Sequence, residues 1–123
     1  MTGLDRILAA VAALAGGLGV AASAAAAHTS GGETLKTAAQ FLLFHAPAVL
    51  ALTGFSAAGL VRGALARLAA AALLLGLGLF SGDLALRALA GTPLFPMAAP
   101  SGGVVLMAGW LLAAITVLVP ARH

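Results

Sequence analysis

His45 and Asp83 are the residues whose types best suit moving a proton. An imidazole changes charge near neutral pH, and a carboxylate beside it favours the imidazolium. Both stand inside apolar runs long enough to cross a bilayer, where each polar group needs a partner because hydrocarbon offers no water. His45 lies about 8 residues into its run, or about 12 Å at the helical rise, and Asp83 lies about 7 residues before the end of its own. Antiparallel runs put the two at a similar depth, so a His45–Asp83 pair is one expectation and a proton relay is the chemistry it would support. Arg87, one helical turn beyond Asp83, competes for the same carboxylate as an i,i+4 ion pair. Gln40, Ser81 and His28 fall near the same end and complete a candidate intramembrane polar cluster. The other reading of these residues is interhelical glue, with hydrogen bonds contributing roughly 0.6–2 kcal/mol each. His28, beside a polar connector, fits a capping or solvated role.

Composition narrows the remaining chemistry. The chain has 123 residues, 63% of them hydrophobic and 7% charged, with mean hydropathy +1.16. Soluble domains carry about a quarter of their residues charged, so so few charges could not cover a water-facing surface. There is no cysteine, which removes disulfides, thiolate catalysis and cysteine metal sites. Two histidines and a carboxylate match zinc or iron ligand types, but no H-x-x-x-H spacing fixes them on one face, and no metal or other cofactor is expected. No phosphate-binding loop, G-x-S-x-G or H-E-x-x-H occurs, so the chain does not read as an enzyme. Six scattered basic residues and six aromatics form neither a basic patch nor a stacking platform, so nucleic acid is not an expected partner.

The elements that would position these residues are four membrane spans within a single domain, residues 1–123. They are expected at about 7–27, 37–58, 68–89 and 102–119. The first could also be a cleaved signal peptide with an A-x-A site, but its length favours a retained span. Gly31-Gly32 breaks the chain before the second span, and Pro47 inside that span removes a backbone bond and is expected to bend it. Residues 90–101 carry three prolines and read as a loop. The fold class is therefore all-α, a four-helix transmembrane bundle with short connectors and antiparallel neighbours.

Small residues mark where helices can approach closely. Ala9, Ala13, Gly17, Ala21 and Ala25 recur every four residues in the first span, and Gly78 and Gly82 form a G-x-x-x-G pair in the third. With Gly102, Gly103 and Trp110 they are the candidate packing residues. Trp110 is too deep for an interfacial belt and is expected to pack or to donate its N–H inside the bundle. Arg6, Arg62, Arg67 and Arg122 share one side, against Lys36 and Arg87 on the other. The positive-inside rule then places both termini in the cytoplasm.

Four ordered patterns are now in view: the alanine run closing on His28, Phe41-Leu-Leu-Phe44-His45-Ala46, Leu79-Phe80-Ser81-Gly82, and Pro100-Ser-Gly102-Gly103 followed by Gly109-Trp110. Together they resemble domain-of-unknown-function family 423, also called the transmembrane protein 256-like family, over nearly the whole chain. Phe41 and Phe44 stand where that family usually has tyrosine, Asp83 where it has serine, Pro47 where it has an apolar residue and Ala99 where it has threonine. The resemblance implies a four-span membrane fold, in bacteria an inner-membrane one, and no activity.

The leading functional expectation is a structural or accessory membrane component, acting as a homo-oligomer or as a subunit of a larger assembly among membrane lipids. A small proton-coupled transporter or channel built on His45 and Asp83 is the rival, and a lipid or hydrophobic-ligand binder is a third possibility.

Overall fold

The computed structural model describes residues 1–30 and 32–121 and contains four helices: α1 (Gly3–Ala26), α2 (Gly32–Ala57), α3 (Gly63–Ala90) and α4 (Ala98–Leu118). Among the described residues there is no strand. Each helix is long and apolar enough to cross a membrane, and the whole fits an integral membrane protein. Gly31 and Arg122, which the sequence reading used as a helix breaker and a cytoplasmic charge, lie outside the described residues.

The helices begin earlier than hydropathy suggests. α2 starts in the polar connector at Gly32, and α3 starts at Gly63. α4 starts at Ala98 and takes in Pro100, which the loop reading had excluded. A proline is tolerated in the first turn because the N–H it lacks would have no helical partner there. α2 continues unbroken through Pro47. α3 ends on Gly91 in the left-handed conformation, φ 74°, which a glycine adopts without a Cβ clash.

Consecutive helices pack side by side: α1 on α2, α2 on α3 and α3 on α4, with a lighter α1–α3 contact. α2 and α3 thus form the middle of the bundle. The core is built from Leu8, Ala12, Val49, Leu52, Leu73, Leu77 and Leu106. At the termini end, Thr2 and Asp5 form a capping box at the start of α1. Asp5 also accepts from Arg67 at 3.3 Å, tying α1 to α3, and the Arg62 Nε donates to the Pro120 carbonyl at 3.0 Å beyond α4.

α3 and α4 approach each other backbone to backbone. A Cβ on Gly102 would fall 2.6 Å from the Phe80 nitrogen and 2.8 Å from the Gly76 carbonyl oxygen. One on Gly76 would fall 2.8 Å from the Leu106 nitrogen, so backbone meets backbone. Four of the five expected packing glycines are placed differently: a Cβ on Gly17, Gly78, Gly82 or Gly103 would meet nothing within 4 Å. On α1 it is Gly16 and Gly19 that face α2, at Ala46 and Leu43. α1 buries Leu8, Ala12, Ala15 and Gly19, and leaves Ala13, Gly17, Ala21 and Ala25 exposed. With small residues on every side of α1, spacing alone does not select the packed face.

Candidate functional site

His45 is buried in α2 and answered from α4. The Trp110 indole N–H donates to His45 Nε2 at 3.0 Å. An indole nitrogen can only donate, so Nε2 carries the lone pair and the proton sits on Nδ1. That Nδ1–H donates to the Phe41 carbonyl at 2.7 Å, one turn back on α2. Both ring nitrogens are therefore engaged, and the imidazole is neutral in this arrangement.

The rings around it form a ladder through three helices. Phe80 of α3 stacks on Phe41 with centroids 4.2 Å apart, Phe41 stacks on His45 at 5.6 Å, and His45 meets Trp110 at 5.6 Å and 60°. Aromatic contacts of this kind add about 0.5–1.5 kcal/mol beyond the area they bury. Trp110 remains 47% exposed, so its indole stands between His45 and the surroundings of the bundle.

Asp83 is held elsewhere. One carboxylate oxygen accepts from Arg87 Nε and the other from the Leu94 backbone N–H, both at 2.8 Å. Arg87 is half exposed and Asp83 fully buried. Asp83 thus fastens the 91–97 loop to the end of α3, and Arg87 neutralises it from one turn away. Each group finds its partners separately, and no side-chain hydrogen bond joins His45 to Asp83.

The remaining members of the expected cluster also separate. The Ser81 hydroxyl donates to the Ala38 carbonyl at 2.9 Å, joining α3 to α2. Gln40 is exposed on α2, and His28 is exposed in the turn after α1. Among the described residues no three of His, Cys, Asp and Glu converge as a metal would require. No buried side-chain nitrogen or oxygen there lacks a partner. The polar atoms act as fasteners: His45–Trp110 between α2 and α4, Ser81–Ala38 between α3 and α2, and Asp83 on its own loop.

Sequence reasoning missed Asp5. Thr2-Gly-Leu-Asp5 has the capping-box spacing, and that signal could have found it.

Among the described residues, two apolar grooves stand out on the bundle surface. One, about 480 Å³, lies between α1 and α3, over Leu18, Ala21, Leu42, Gly78 and Gly82. The other, about 440 Å³, lies between α2 and α4 beside Trp110, along Ala48, Ala51, Phe55, Ala114 and Val117. Both are lined almost wholly by apolar residues.

Neither a curated protein nor a solved structure matches the chain. The family described as "Protein of unknown function (DUF423)" matches residues 8–103, a stretch that includes Phe41, His45, Phe80 and Asp83 and ends before Trp110. Over most of its length, therefore, the chain belongs to the DUF423 family.

Proposed function

We propose that this protein is a structural or accessory component of a bacterial inner membrane, working as a homo-oligomer or as a subunit of a larger assembly, without catalysis of its own. One observation carries the reading: the intramembrane polar groups are spent on contacts between or within helices, and none is left buried without a partner among the described residues. A transport site would be favoured by titratable groups joined along a path, and His45 and Asp83 share no hydrogen bond. His45 has both nitrogens engaged, and Asp83 is paired with Arg87. The arginine distribution supports cytoplasmic termini, with Arg6, Arg62 and Arg67 at the termini end and Lys36 and Arg87 at the other.

Native mass spectrometry of the protein gently extracted from its own membrane tests this. A defined oligomer or a complex with other chains is the expected result, and a lone folded subunit would count against it. The groove between α1 and α3 favours a second reading, a binder of an acyl chain or another hydrophobic ligand. A lone subunit with one retained lipid would move the weight there.

A further inference from the structure

We propose that the His45–Trp110 hydrogen bond is a latch released by acid: a proton on His45 Nε2 expels the indole and widens the α2–α4 groove. The geometry leaves that proton one place to go. Nδ1 already carries a hydrogen directed at the Phe41 carbonyl, so the only basic atom is Nε2, and Trp110 N–H occupies its lone pair. Once Nε2 is protonated, two N–H groups face each other across 3.0 Å, and the bond cannot persist.

No free counter-charge is packed around His45 to hold the resulting imidazolium beside Trp110. From α3 it faces the ring stack of Phe80 through Phe41, while the Ser81 hydroxyl is engaged with Ala38 and Asp83 with Arg87 and Leu94. α4 has no charged residue from Ala98 to Leu118. The ionisable residues of α1 are Asp5 and Arg6 at the termini end, and Asp5 is taken by Arg67. On α2 itself Glu33 and Lys36 are exposed, at least two turns from His45. A buried charge without a counter-charge draws in water or lipid headgroups, and the side that can yield is the one Trp110 covers. The indole is already half exposed and borders the α2–α4 groove, so it has room to swing. The backbone contact of Gly76 with Gly102 keeps α4 on α3 meanwhile, so α4 parts from α2 about a fixed hinge.

The test uses the full chain in lipid nanodiscs. The absence of native cysteine allows spin labels to be placed specifically at A51C and A114C, which line opposite walls of the groove. Label distances are measured at about pH 8 and about pH 5. In the otherwise native chain a longer-distance population should appear on acidification. His45→Gln, whose amide oxygen can accept from Trp110 without titrating, should stay closed at both pH values. Trp110→Phe, which cannot form the latch, should be open at both. An unchanged distance in the native background, or an acid shift that persists in His45→Gln, overturns the proposal. Should His45→Gln not fold, Trp110→Phe decides alone: closed at about pH 8, or still opening with acid, it overturns the latch.

Discussion

α4 is held to its two neighbours in opposite ways. Against α3 it presents glycine, and the contact is backbone on backbone, with Gly76 and Gly102 leaving no space for a methyl group. Against α2 it presents a large side chain, and the contact is one hydrogen bond and a ring edge, with an open groove beside it. The first seam gains from dispersion over many atoms and has no titratable part. The second rests on a single donor and acceptor and depends on the charge of one imidazole. A membrane helix can thus be fixed firmly along one edge and conditionally along another.

Replacing the glycine of the first seam should do the most damage. Gly102→Leu forces side-chain atoms into the backbone of α3, and overpacking of that kind costs about 3 kcal/mol or more where backbone cannot move. Thermal unfolding in mild detergent should show it, and a variant of native stability would mean the seam is looser than drawn. Next comes Asp83→Ala, which releases the Leu94 N–H and should loosen the 91–97 loop while sparing the helices. Hydrogen exchange should rise at Leu94 and not along α4. Removing the donor of the second seam with Trp110→Phe should lower stability by about 1 kcal/mol, in the range of measured interhelical hydrogen bonds. A loss as large as that of Gly102→Leu would erase the distinction between the two seams. Gly78→Ala should cost nothing: its Cβ meets nothing within 4 Å, and helix propensity favours alanine. If that variant instead breaks an oligomer, the open face of α3 is an interface.

The four long apolar helices were legible because hydropathy over about 20 residues is a strong signal. Helix starts were not, since Gly32, Gly63 and Pro100 are poor helix formers in isolation that the first turn tolerates. His45 stood out as an intramembrane imidazole, and Trp110 as a deep indole in need of an acceptor, yet nothing in their spacing joined residues sixty-five apart. Asp83–Arg87 was readable from its i,i+4 spacing, whereas the grip on Leu94 depended on how a proline-rich loop folds back. Of the glycine seam Gly102 was named and Gly76 was not, because the G-x-x-x-G spacing in α3 marks another face that could pack closely. The face that does pack is set by its partner, Gly102, on another helix.

The placement of Asp83 also bears on how the chain enters the membrane. Its counter-charge lies four residues away in the same helix, so the pair can form as soon as α3 coils and travels with that segment as one nearly neutral unit. The Asp5–Arg67 bridge spans sixty-two residues and can close only after the third segment has arrived beside the first. Sequence separation thus sets an order of assembly: the local pair eases insertion, and the distant one fastens the first segment once its partner is in place.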